Sequence, residues 1–140
     1  MTRAIAFTPD DIFVLGNIGA MAVLRGKGAE ALQILQWIQQ ERPTNAGSFL
    51  MHALYLFSEG RTAEAISFLE QSPVFEAEVN RDEAIALHIV LLNYDGQYDR
   101  LVHLGEAYLA EGLVQSERAH HVIRTAVDDV LARRGQSARN

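Results

Sequence analysis

The histidines are the side chains of this sequence that come nearest to forming a chemical site. His52 and His88 each stand four residues before a leucine, Leu56 or Leu92, so they occupy corresponding places and could approach each other. Two imidazoles can supply two ligands of a metal site, but a zinc ion needs at least three protein ligands. No third ligand stands at a suitable spacing. We therefore interpret both rings as packed between helices.

Carboxylates gather in one part of the chain, the polar connection around Arg81 that holds Glu76, Glu78, Asp82 and Glu83. A carboxylate pair can do acid–base work when burial separates its pKa values. A polar connection favours a solvated surface instead, and we interpret the adjacent His120 and His121 in the same way. The chain also has no cysteine, hence no thiolate nucleophile or ligand. The sequence predicts no catalytic residue, no metal site and no cofactor, and so a protein that is not an enzyme.

Composition narrows the class of partner. The 140 residues, 49% of them hydrophobic, suit a single domain over residues 1–140. A formal charge of −6 argues against nucleic acid, whose phosphates are bound mainly by Lys and Arg. The longest apolar stretch, Ile12 to Leu24, is shorter than the roughly 20 residues that span a bilayer, and no export signal is evident. We expect a cytoplasmic protein that does not insert into membranes.

A fixed period organises the chain. Gly26, Ala31 and Leu35 recur, each at the same interval, as Gly60, Ala65 and Leu69. A period of about 34 residues is typical of repeated helix-turn-helix units, which cannot bury their apolar faces alone and therefore stack. The third echo, at Gly96, comes two residues later than this period requires. We place the two extra residues in the connection from Val74 to Arg81.

Apolar residues at helical spacing, with glycine and proline between them, predict seven helices. They belong to repeat units at about 12–45, 46–81 and 82–115, followed by a capping helix at about 116–134. The predicted helices are Pro9 to Arg25, Ala29 to Glu41, Ser48 to Ser58, Thr62 to Glu70, Asp82 to Tyr94, Tyr98 to Glu111, and Ser116 to Arg133.

The first unit resembles the tetratricopeptide repeat (TPR). The signature positions are held by Leu15, Ile18, Gly19, Ala22, Ala31, Leu35 and Pro43. The second unit keeps the pattern, whereas the third has Leu101 and Gly105 where an alanine and an aromatic residue are usual. The resemblance implies an all-α fold, with three TPR-like helix-turn-helix pairs in a right-handed superhelix and a C-terminal capping helix. It also implies a concave groove lined by the first helix of each pair.

The groove predicted from this resemblance is almost wholly apolar. The residues that line it are Phe13, Ala20, Val23, Leu24, Leu50, Leu54, Phe57, Ala86, Val90 and Tyr94. The helices that carry them are apolar nearly all round, and such helices must be covered on every side. We expect the groove to bind a hydrophobic or amphipathic helix of a protein partner. The alternatives are filling by the C-terminal helix, closure by a homodimer, and a small apolar ligand.

A small acidic TPR protein with an apolar groove is similar to bacterial type III secretion proteins. The runs that carry this likeness are Glu41-Arg42-Pro43 after Leu35, and Gly60-Arg61 before Glu64-Ala65. Two groups are similar: the co-chaperones that cradle the C-terminal helix of the needle subunit, and the small repeat proteins of plant-pathogen secretion clusters. The resemblance implies a chaperone role.

Overall fold

A computed structural model describes residues 28–139. These residues form an all-α fold, as predicted, with one isolated bridge between Asn45 and Val79 as their only β-type pairing. The helices are α1 (Gly28–Glu41), α2 (Gly47–Ser58), α3 (Thr62–Gln71), α4 (Arg81–Tyr94), α5 (Tyr98–Ala110) and α6 (Glu117–Arg139), with a 3-10 turn at Pro73–Glu76 between α3 and α4. The helix predicted from Pro9 to Arg25 lies outside the described residues.

Helix ends agree with the sequence prediction to within one residue, except at the end of α6. The helix predicted to stop at Arg133 continues to Arg139 and passes through Gly135. A helical glycine costs about 1 kcal/mol relative to alanine but keeps its hydrogen bonds, so it does not by itself end a helix. The start of α6 is fixed by Ser116, whose hydroxyl accepts a hydrogen bond from the Ala119 N–H at 3.2 Å.

The repeat is visible as two equivalent turns. Gly60 ends α2 and Gly96 ends α4, with φ values of 76° and 74°. In each turn the glycine N–H donates to the carbonyl three residues back, at 3.0 Å for Gly60 and 3.2 Å for Gly96, and the next N–H donates to a leucine carbonyl at 2.9 Å. This is the Schellman arrangement, which satisfies the last carbonyls of a helix and favours glycine at the left-handed position.

Substituting Gly60 tests the turn. We expect Gly60→Ala to lower the free energy of unfolding by about 1 to 2 kcal/mol, since a left-handed conformation costs that much for a residue with a Cβ. Gly60→Asn is the control and should cost less, because asparagine tolerates this region: Asn80 adopts φ 61° in this same chain. Urea unfolding measures both variants. Equal losses for alanine and asparagine would contradict the conformational explanation.

The two extra residues of the third unit do not lie where the sequence analysis put them. Helix α2 begins at Gly47 and α4 begins at Arg81. This interval equals the one from Gly26 to Gly60, so the connection between the two units contains no extra residues. The difference lies in the helices, since α4 has 14 residues and α2 has 12. Asp82 and Glu83 stand in the first turn of α4, where negative charge favours the helix. The expected insertion is therefore an additional half-turn of helix.

Each helix packs against the next one along the chain, and in addition α2 contacts α4 and α4 contacts α6. The first helices of the second and third units thus lie side by side, with α6 as the next member of that row. Helix α6 buries Ala119, Ile123, Val127 and Val130. It covers α4 and α5 at one end of the stack. The right-handed superhelix remains a prediction.

The connections between units are tied to one another. The carbonyl of Thr44 accepts the Glu78 N–H at 2.8 Å, and Asn80 donates its amide to Asn45 at 2.9 Å. One unit further on, the Asp82 carboxylate accepts the N–H groups of residues 115 and 116, at 2.9 and 2.6 Å. Asp82 was expected to be solvated. Instead it fixes the start of α6 through charge-assisted hydrogen bonds.

Candidate partner-binding groove

The candidate groove residues in the described part of the chain form one stripe on α2 and one on α4. None of the 12 residues of α2 is Asp, Glu, Lys or Arg. Its stripe runs from Leu50, which is only 8% exposed, to the half-buried Leu54 and Phe57. The four groove residues predicted in the first unit, Phe13, Ala20, Val23 and Leu24, lie outside the described residues.

The stripe on α4 becomes more exposed towards the end of the helix. Ala86 and Val90 are half-buried, whereas Tyr94 is 69% exposed. Tyr94 meets Phe57 edge to face, with ring centroids 5.0 Å apart. This is a favourable geometry for an aromatic pair and holds both rings in place. The stripes of α2 and α4 therefore meet at the ends of their helices, next to the glycine turns.

The opposite faces of the same helices form the core. Helix α2 buries Phe49, Ala53 and Leu56, and α4 buries Ile85, Ile89 and Leu92. Leu50, predicted to line the groove, is also buried and belongs to the core. These side chains belong to one cluster that also takes in residues of α3, α5 and α6. Each first helix thus uses one face for folding. Its other apolar face is incompletely covered by the residues that the structure describes.

The two histidines considered as a metal site make different contacts. His52 lies 3.1 Å from the amide of Gln39, and its ring centroid is 3.9 Å from that of Phe68. Burial, and next the positive charge of Arg61, lower the pKa of His52. His88 makes different contacts, described below. Within residues 28–139, no three or more His, Cys, Asp or Glu side chains are grouped so that they could hold a metal ion.

His88 is the centre of a polar cluster that the sequence analysis missed. It is 2% exposed, and its Nδ1 lies 2.8 Å from the hydroxyl of Tyr108. Its Nε2 faces the carboxylate of Glu70 at 3.6 Å, and that carboxylate also pairs with Arg100. The four side chains come from three different helices, α3, α4 and α5, and are therefore far apart in sequence. No local spacing could have revealed them.

Burial decides the protonation of this cluster. It raises the pKa of the Tyr108 hydroxyl far above its usual range, so Tyr108 keeps its proton and can donate to His88. Burial also lowers the pKa of His88, and Arg100 lowers it further, whereas Glu70 opposes the shift. At neutral pH the cluster therefore holds an uncharged imidazole beside a Glu70–Arg100 ion pair. Such a cluster links α3, α4 and α5.

No protein-family model, no curated protein and no solved structure matches the chain. No helix in the part of the chain that the structure describes is both long enough and apolar enough to cross a membrane. The fold and the site thus define an all-helical chain in which two neighbouring helices present partly covered apolar stripes.

Proposed function

We propose that this protein is a non-catalytic, TPR-type binding module or chaperone that holds a hydrophobic or amphipathic helix of a partner protein in its groove. The observation that supports this most is the character of α2. A helix without a charged residue needs cover on all sides. Its Leu54 and Phe57 have only partial cover, and the neighbouring Tyr94 is 69% exposed.

A helix is the occupant that suits these stripes best. Leu50, Leu54 and Phe57 recur at intervals of four and three residues, and Ala86, Val90 and Tyr94 at intervals of four. We expect two adjacent stripes of this kind to form an apolar furrow. An amphipathic helix fills such a furrow with anchors of the same spacing. Apolar area removed from water contributes about 25 cal/mol per Å², before the costs of association.

We take the cellular setting from the resemblance to bacterial type III secretion proteins. We place the protein in the bacterial cytoplasm, as a chaperone of type III secretion that shields an aggregation-prone helix before export. The acidic balance of the chain supports a protein partner over nucleic acid.

The second candidate is a structural subunit whose groove is closed by another copy of the chain or within a larger complex. The exposure of Tyr94, at 69%, favours it as well, because a homodimer would cover the same ring. Oligomeric state distinguishes the two candidates. A binding module should be monomeric until the helix is supplied, whereas a structural subunit should be dimeric without it.

Groove substitutions test the proposal by peptide binding. The probe is a fluorescein-labelled amphipathic peptide of about 18 residues, with leucines on one face and glutamines on the other. We expect Leu54→Glu to weaken its binding about tenfold or more, because the complex would bury an unpaired carboxylate. Fluorescence anisotropy gives the Kd. Tyr94→Ala serves as a second variant, since so exposed a side chain can be removed without loss of the fold.

Leu131→Glu is the matched control. It makes the same chemical change at an apolar residue of α6 that is 44% exposed and outside the groove. Its affinity for the peptide should equal that of the unaltered protein. Equal binding by Leu54→Glu, Tyr94→Ala and the control would overturn the groove. A peptide-independent dimer, detected by light scattering and abolished by Leu54→Glu, would favour the structural subunit.

A further inference from the structure

The end of the groove combines aromatic rings with carboxylates. We define the groove rim as Phe57, Glu59, Tyr94 and Asp95. Phe57 and Tyr94 form the edge-to-face pair at 5.0 Å. Glu59 and Asp95 are the C-cap residues of α2 and α4, each immediately before a glycine turn. Because the two turns are equivalent, they bring both carboxylates to the same end of the groove as the rings.

The backbone adds to this negative end. The carbonyl ends of helices carry partial negative charge, and α2 and α4 both end here, side by side. Asp95 is held by one neutral hydrogen bond, from the Gln97 amide at 2.6 Å, so its charge is not neutralised by that contact. A cation at the rim would meet two carboxylates and two helix ends.

The groove-forming part of the chain carries an excess of negative charge. From residue 47 to residue 99 the sequence contains nine acidic and two basic side chains. Three of the nine, Glu64, Glu70 and Asp99, pair with Arg61, Arg100 and Arg134, which leaves six. Both basic side chains in this range are engaged within the protein. Arg61 pairs with Glu64 at 2.5 Å, and Arg81 donates to the carbonyl of Leu113 at 3.0 Å. The apolar stripes therefore lie in a part of the chain with an excess of negative charge.

The protein itself shows how such an exposed ring can be covered. Tyr98, four residues after Tyr94, is 38% exposed, and the guanidinium of Arg133 lies 5.1 Å from its ring centroid. Arg133 also pairs with a carboxylate, that of Asp129, at 3.1 Å. Cation, ring and carboxylate thus form one group on α5 and α6. At the groove rim, the cation–π contact of Tyr98 has no counterpart at Tyr94 within the described residues. The nearby Arg61 pairs with Glu64 and also interacts with Glu59.

We propose that the helix bound in the groove carries a Lys or Arg beside its apolar face, and that this cation lies over Tyr94 next to Glu59 and Asp95. This inference rests on the proposed function and specifies the partner: a cationic amphipathic helix. Cation–π attraction and the two carboxylates act together at the rim. The apolar stripes provide affinity, and the rim selects the charge of the partner.

Three peptides test the charge preference. They share the leucine face of about 18 residues and differ at both ends of the polar face, which carry lysine, glutamine or glutamate. We expect the lysine peptide to bind about five- to tenfold more tightly than the glutamine peptide, and the glutamate peptide to bind most weakly. Raising the salt concentration should reduce the advantage of lysine. The advantage should disappear in the double variant Glu59→Gln/Asp95→Asn and decrease in Tyr94→Leu, which keeps an apolar side chain but removes the ring.

The control double variant is Glu106→Gln/Glu111→Gln on α5. It removes the same net charge, and Glu111 is likewise a C-cap residue before a left-handed glycine, Gly112. This variant should keep the lysine preference. Equal binding of the lysine and glutamine peptides, or a preference that survives in Glu59→Gln/Asp95→Asn, would overturn the cationic partner and leave the groove intact. Absence of binding by all three peptides would overturn the groove, and this inference with it.

Discussion

Replacing Gly105 with leucine is expected to lower the free energy of unfolding by more than about 3 kcal/mol, the upper part of the usual range for overpacking a core. Gly105 is buried where α5 crosses α6. A Cβ built on it would lie 2.5 Å from Cγ2 of Val127, a distance that real side chains do not reach. Val127 is fully buried and β-branched, so it has essentially one rotamer in its helix and cannot turn away. The two helices would have to separate.

Gly105→Ala measures the cost of adding a single Cβ at this position. The clash should cost about 1 to 3 kcal/mol, offset in part by the roughly 1 kcal/mol that alanine gains over glycine in a helix. Gly135→Ala on α6 is the matched control, because a Cβ there meets nothing within 4 Å. It should leave stability unchanged or raise it. Urea unfolding of all three variants measures these differences.

Val127→Ala should rescue the clash. Removing Cγ2 from the wild-type protein leaves a cavity, but in Gly105→Ala it removes the overlapping atom. The loss of stability in the double variant should therefore be smaller than the sum of the losses in the two single variants. The difference, which is the coupling energy, should be about 1 to 3 kcal/mol. Additive losses would show that Gly105 does not act through Val127.

Gly105 also shows what the sequence could reveal and what it could not. In the repeat pattern, Gly105 stands at a position of the third unit's second helix where an aromatic residue is usual. The structure forms that helix, from Tyr98 to Ala110. The space of the missing side chain is taken by Val127 and Ile123 of α6. A substitution that is compensated by a different helix leaves no trace in local spacing.

Helix positions were predictable because their signals are local. Glycine turns, capping residues and apolar periodicity act over a few residues, and they placed α1 to α5 to within one residue at each end. The groove stripes followed from the resemblance to the tetratricopeptide repeat. The edge-to-face contact of Phe57 with Tyr94 did not, because it depends on how two helices from different repeat units lie against each other. The role of Asp82 at the start of α6 was hidden for the same reason.

The buried cluster around His88 predicts that stability falls on mild acidification. The pKa of His88 is lowered in the folded protein, chiefly by burial, from an ordinary value of 6.5. Below that value the unfolded chain binds a proton that the folded protein does not, so the free energy of unfolding decreases as the pH falls. One such site contributes at most about 1.4 kcal/mol per pH unit. The contribution of His88 is present in full above about pH 6.5 and is lost progressively towards the lower pKa of the folded state.

Substituting the neighbouring charged residues should shift the pKa of His88 in opposite directions. Glu70 favours the imidazolium and Arg100 opposes it. Glu70→Gln should therefore lower the pKa of His88 further and extend the loss of stability to lower pH, whereas Arg100→Gln should raise the pKa and shrink the loss. His88→Gln should remove this part of the slope and leave that of His52, whose pKa is also lowered.

The measurement is urea unfolding between about pH 7.5 and pH 5, above the range in which most carboxylates titrate, with the His88 ring signal followed by NMR in the same buffers. His52→Gln separates the two histidines, because it should leave the response to Glu70→Gln and Arg100→Gln unchanged. A pH slope that is the same in His88→Gln as in the unaltered protein would contradict the assignment. If the pH slope changes in opposite directions in Glu70→Gln and Arg100→Gln, the stability of the packing among α3, α4 and α5 depends on the uncharged form of His88.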